Sequence, residues 1–145
     1  MNYLLIEGGA EPHPNFSKEK IASFLFKHLE QYGDPIDEIS ACLDYVFNPV
    51  KSGFIALAHR EENEIMGATI VNETGMSGYI PENILVYIAV DGQTRGKGVG
   101  KTLMEMAIKH AKGNIALHVE ADNPAKHLYE KLGFTNKYLE MRFEK

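Results

Sequence analysis

The sequence predicts an α+β domain whose elements follow the order β-α-α-β-β-β-α-β-α-β-β. Three observations carry that expectation. Two amphipathic helical patterns succeed one another almost without a linker across residues 17–47. Three strand-like runs then follow between residues 53 and 90. The last of these, residues 84–90, leads through a glycine-rich loop straight into another helical pattern. The 145 residues are expected to form one domain, 1–145, because no repeat, low-complexity tract or long linker divides them. A globular chain of this length buries roughly 68–70% of its unfolded surface, so neither a disulfide nor a metal staple is needed.

Each element has a local cause. Residues 3–6 form a short apolar run, expected as a strand, and residues 7–15 a Gly- and Pro-containing loop. Ser17 is placed as an N-cap, after which Ile21, Phe24, Leu25, His28, Leu29 and Tyr32 recur at helical spacing until Gly33. Asp34 and Pro35 are expected as cap and first residue of a second helix, with Ile36, Ile39, Leu43, Val46 and Phe47 on its apolar stripe. Residues 53–59 and 64–71 read as antiparallel strands around a charged turn at 60–63. After a loop at 73–83, the run 84–90 is apolar on both sides, the pattern of a central strand covered by helices on both faces. A helix from Gly98 carries Val99, Leu103, Met106, Ala107 and His110; residues 115–119 make a short strand; Asn123 and Pro124 open a fourth helix that Gly133 ends. Residues 134–143 are expected to supply one or two closing strands.

Charge is divided unevenly. Residues 1–90 hold 5 basic and 13 acidic side chains, a net of −8, whereas residues 91–145 hold 10 and 7, a net of +3. The overall −5 argues against a protein that coats nucleic acid, yet leaves room for a local anion site. Cys42 stands alone, which rules out an intramolecular disulfide and points to a reducing, cytoplasmic setting. The six histidines show no H-x-x-x-H spacing, so no metal site is expected. The apolar start of the chain is too short for a signal h-region or a membrane span, and no membrane partner is expected.

The most specific segment is Gln93-Thr94-Arg95-Gly96-Lys97-Gly98-Val99-Gly100, which opens a helix directly after the buried strand. Three glycines in five residues are costly unless the backbone needs room or unusual dihedrals. A helix N-terminus presents unpaired amides and a positive partial charge, so glycines there let an anion reach the bare N–H groups. Two familiar phosphate motifs fail: a P-loop would need glycine at Arg95, and a dinucleotide fingerprint would need it at Lys101.

What fits is Q/R-x-x-G-x-G/A, met by Gln93, Gly96 and Gly98. Downstream, the stretch from Asn123 through Tyr129 to Gly133 and Phe134 matches N-x-x-A-x-x-x-Y-x-x-x-G-F with a one-residue shift between Asn and Ala. In these motifs, spanning residues 84–134, the chain resembles the GNAT superfamily of N-acetyltransferases. The resemblance implies a three-layer fold on a mixed, mostly antiparallel sheet, in which the parallel neighbours 84–90 and 115–119 splay apart. It also implies acetyl-CoA as co-substrate, its pantetheine arm pairing with the splayed strands and its pyrophosphate resting on Arg95, Gly96, Lys97, Gly98, Val99, Gly100 and Lys101. No metal is implied.

The activity implied is acetyl transfer to a primary amine by direct attack in a ternary complex. Tyr129 corresponds to the family's general acid toward the CoA thiolate; its position also suits a plain core tyrosine. A backbone N–H near Ala89 or Val90 would meet the oxyanion. Asn123 is assigned to pantetheine or to a helix cap, and Lys126 or Lys131 to the 3′-phosphate. For the base, Glu82, His118 and Glu120 stay open, with Glu120 named as the candidate, because the family's strand glutamate is replaced here by Ile84. The acceptor would lie beside the first two helices and the 73–83 loop, where the acidic N-terminal part suits a cationic small-molecule or peptide amine. A non-catalytic acyl-CoA-binding or regulatory module is the alternative, and a monomer or homodimer is expected.

Overall fold

The computed structural model describes residues 1–9 and 11–145. The strands are β1 (Asn2–Glu7), β2 (Gly53–His59), β3 (Ile65–Glu73), β4 (Asn83–Val90) and β5 (Ile115–Leu117); the helices are α1 (Lys18–Leu29), α2 (Ile36–Val46), α3 (Val99–His110) and α4 (Ala125–Lys131). The strands lie in chain order, β1 to β4 antiparallel and β5 parallel to β4. This is the α+β architecture that the element order predicts, with the mixed, mostly antiparallel sheet that the resemblance implies.

Helices cover both faces. α1 and α2 bury Ile21, Leu25, Ile39, Leu43 and Val46 against Ile55, Leu57, Ile70 and Tyr87. On the other face α3 and α4 bring Met104, Ala107 and Tyr129 against Phe54, Val71 and Leu85. Because β4 is covered on both sides, its apolar run needs no polar face. Local signals set the helix ends: the Ser17 side chain accepts from Lys20 N at 3.1 Å, and Gly133 follows α4 at φ +101°.

Two expectations need correction. Asp34 does not cap α2: the N-cap position is Pro35 and has no side-chain cap bond, while the Asp34 carboxylate is engaged by Tyr87. The closing strands at 134–143 are not formed, so the observed order ends β5-α4. Alternating polarity favours a strand only where a partner ladder exists, and Tyr138, Leu139, Met141 and Phe143 stand exposed beside no paired backbone.

Candidate acyl-donor and acceptor site

The site begins where β4 and β5 part. At their shared start, Asn83 N donates to Asn114 O at 3.0 Å and Asn83 Nδ2 to Lys112 O at 2.9 Å. Parallel pairing runs only through Asn83↔Ile115, Ile84↔Ala116 and Leu85↔Leu117, and then stops. On the opposite edge of β4 the register shifts at the same place: Ile70 pairs with Tyr87 but Val71 with Leu85, leaving Val86 as an extra residue. A β-bulge bends its strand and increases its twist, and from Val86 onward β4 has no pairing with β5. Val86 and Tyr87 accordingly both pack toward α1 and α2, while Leu85 and Ile88 belong to the other face. The expected splay is present, closed at Asn83 and open toward Val90.

The glycine loop meets the open end. Gly67 on β3 lets α3 approach closely, since a Cβ there would lie 2.9 Å from Leu103 Cδ1 and 3.1 Å from Val99 Cγ1. Gly96 and Gly98 hold φ of +82° and +83°, a region costly to any L side chain. Gly98 is the N-cap of α3 and has no side-chain acceptor, so the amides of Val99, Gly100 and Lys101 are uncapped, and the first helical bond runs from Thr102 N to Gly98 O at 3.0 Å. Lys97 and Lys101 are exposed and form no ion pair among the described residues. Arg95 is different: its guanidinium donates to His28 O at 2.9 Å and Val90 O at 3.3 Å and approaches Glu30 Oε1 at 3.5 Å. Its side chain is thus spent on fastening the C-terminal end of α1 to the open end of β4. His28 joins that junction, 3.5 Å from Asp91 Oδ2, and burial lowers its pKa, with the Lys27 and Arg95 cations acting in the same direction.

Tyr129 lies at the parting on the α3–α4 face, buried among Leu85, Met104 and Ala107. Burial raises its pKa, so the phenol keeps its proton at neutral pH. The side-chain hydrogen bonds among the described residues include none of the Tyr129 hydroxyl, and since no buried polar side-chain atom is left without a partner, that hydroxyl reaches solvent and is available as a donor. Asn123 Oδ1 accepts from Ala125 N at 2.9 Å, which is the capping role. The Asn123 side chain also borders a cleft of about 300 Å³ together with Tyr32, His118, Val119, Glu120, Glu140 and Arg142. Across the mouth, Tyr32 Oη donates to Asp122 O at 3.4 Å.

The base candidates separate. Glu82 sits at the closed end, accepting from Asn114 N at 2.9 Å, and the backbone N–H of Asn114 holds its carboxyl below the ordinary range. It braces the strands and is remote from the open end. His118 and Glu120 instead share the cleft with Asn123. Lys126 is half-buried and Lys131 exposed on α4. Cys42 is buried against Asn72, and burial pushes its thiol up to about 12, which removes it as a nucleophile.

The sequence reading missed the Tyr87–Asp34 pair. Its one signal was a hydroxyl-bearing residue inside the otherwise aliphatic run of 84–90. The bulge at Val86 and the anchoring of Arg95 had no signal, because both depend on which distant backbone lies alongside.

Residues 51–136 match the family model for an acetyltransferase (GNAT) domain. A mycothiol acetyltransferase of Catenulispora acidiphila is 33% identical over 81 residues, 52% of this chain and 26% of that protein. The chain spans only 26–32% of the length of the curated relatives it matches. Among solved structures, a putative acetyl transferase from Pyrococcus furiosus superposes with a TM-score of 0.64 at 22% identity, covering 99% of this chain and 100% of that one. A ribosomal-protein-alanine N-acetyltransferase from Brucella melitensis biovar Abortus 2308 gives 0.64 at 16% identity with full coverage of both chains. Identities this low speak for the fold alone.

Proposed function

Because the chain belongs to the GNAT acetyltransferase family, we propose that residues 1–145 act as one domain that moves the acetyl group of acetyl-CoA to a primary amine by direct attack in a ternary complex. The observation that carries this reading is the gap between β4 and β5 opening beside the uncapped N-terminus of α3. An extended, amide-bearing arm pairs with a free strand edge, and a pyrophosphate suits bare helix amides. The residues present therefore fit acetyl-CoA: the 86–90 edge for pantetheine, the amides of 96–101 with Lys97 and Lys101 for phosphates, and Lys126 or Lys131 for the 3′-phosphate.

Acetyl-CoA supplies an activated thioester, and the chain's own groups do the rest. A backbone N–H near Ala89 or Val90 faces the position of the developing oxyanion. Tyr129, kept protonated by burial, donates to the departing sulfur. An amine with a lysine-like pKa is neutral only about once in 2,500 molecules at pH 7. Glu120 or His118 is the group at the cleft that accepts its proton, directly or through water. The acidic N-terminal part, with Asp37 and Glu38 in the first turn of α2, favours a cationic acceptor.

The test is CoA release from acetyl-CoA across cationic, neutral and anionic amines. Turnover confined to amines, strongest with cationic ones, supports the reading. Tight CoA binding with no turnover on any amine would support the alternative, a non-catalytic acyl-CoA-binding module, which leaves Tyr129 without a task.

A further inference from the structure

The chain leaves α1 through a conformation that side chains avoid. Glu30, directly after α1, holds φ 55° and ψ −129°. That pair lies outside the small left-handed α region and matches the first central residue of a type II′ turn, a position that glycine fills without strain. A side chain stays there only where its surroundings over-determine the backbone. Here the neighbours do so. Gly33 N donates to Glu30 O at 3.3 Å, and the chain folds back so tightly that a Cβ at Gly33 would lie 2.8 Å from Leu29 Cβ. From the glycine loop, Arg95 donates to His28 O at 2.9 Å and approaches Glu30 Oε1 at 3.5 Å.

The kink aims the residues that follow it. Tyr32 Oη donates at 3.4 Å to Asp122 O, on the connection after β5, whereas Asp34 accepts from the Tyr87 phenol of β4. Residues 32–34 therefore span the gap between β4 and β5, and Tyr32 borders the cleft.

We propose that Glu30 is a positioning residue: its strained kink, held by Arg95 of the glycine loop, sets residues 32–34 across the gap and so fixes where an acceptor amine meets the acyl donor. The acceptor role rests on the acetyltransfer reading above; the kink itself does not. Backbone shape carries the role, not the carboxylate, because the Glu30–Arg95 pair is exposed on both sides and such pairs contribute little. Glycine at position 30 keeps the geometry freely, and alanine keeps it under strain. A β-branched residue, for which positive φ is a true outlier, gives it up.

Glu30→Gly, Glu30→Ala and Glu30→Val all remove the carboxylate and differ in what this backbone costs them. At an unstrained position alanine is the more stable of the first two; here Glu30→Gly is expected to melt about 2–5 °C above Glu30→Ala. Amide exchange at Gly33 in the ligand-free protein is expected to stay within about twofold of the parent in Glu30→Gly and to rise about tenfold in Glu30→Val and Arg95→Ala. With putrescine and acetyl-CoA, Glu30→Val is expected to raise the amine KM about tenfold and to hold the acetyl-CoA KM within about twofold, while Glu30→Gly keeps both near the parent values. Arg95→Ala carries the same comparison if Glu30→Val does not fold. Alanine melting at or above glycine overturns the strain, and an equal amine KM in Glu30→Val and Glu30→Gly overturns the positioning role. A parent protein that turns over no amine refutes acetyltransfer and the acceptor role with it, while the kink still stands or falls on melting and exchange.

Discussion

The phenol of Tyr87 donates a 2.5 Å hydrogen bond to Oδ2 of Asp34, joining residues 53 positions apart. One end sits beside the bulge in β4 and the other just before α2, so the bond ties the acceptor-side helices to the strand that splays. A neighbouring bond steadies the same point: Thr69 Oγ1 donates to Tyr87 O at 2.9 Å.

Tyr87→Phe should therefore cost about 1 kcal/mol of stability in urea denaturation, since exposed Asp34 can regain water. Burial, reinforced by the Asp34 carboxylate, raises the Tyr87 pKa. A raised pKa means that the contribution is complete below the ordinary phenol range near 10 and is lost as pH rises beyond it. Between pH 9 and 11 the parent should lose more stability than Tyr87→Phe. Parallel decline of the two would remove this link.

Tyr129→Phe should lower kcat about 10²–10⁴-fold, the usual worth of a positioned acid, with little change in the KM for acetyl-CoA. Stability should hardly move, because none of the side-chain hydrogen bonds among the described residues involves this hydroxyl. Full kcat in the variant would leave Tyr129 a core residue only.

Arg95 and its lysine neighbours should diverge. Arg95→Ala removes bonds to His28 O and Val90 O and should cost about 1–2 kcal/mol in folding. Lys97→Ala and Lys101→Ala should leave stability unchanged and each raise the KM for acetyl-CoA about fivefold, an effect that fades at high salt. Steady-state kinetics beside thermal melts separate the two classes.

Glycines 98 and 100 should respond in opposite directions. Gly98→Ala forces a side chain to φ +83° and should cost about 1–2 kcal/mol. Gly100 lies inside α3, where a Cβ would meet Val90 Cγ2 at 3.6 Å and Leu128 Cδ2 at 3.7 Å, ordinary contacts. Gly100→Ala should raise stability by about 0.5–1 kcal/mol. A lower Tm for Gly100→Ala would show that α3 packs more tightly than these distances indicate.

The sequence by itself determined the order of elements as far as α4, and the glycine loop. Helical periodicity, the Ser17 cap and the Gly133 stop are effects within a few residues, and Gly96 and Gly98 stand where only glycine takes a left-handed turn without strain. The tertiary structure alone decided what those pieces do to one another. It placed the bulge at Val86, because a bulge is a mismatch between two strands and not a property of either. It drew Asp34 from a cap to a phenol, turned Arg95 from the loop to the end of α1, and left the patterned segment 138–143 unpaired. Those outcomes depend on which distant backbones come alongside, and local pattern carries no record of that.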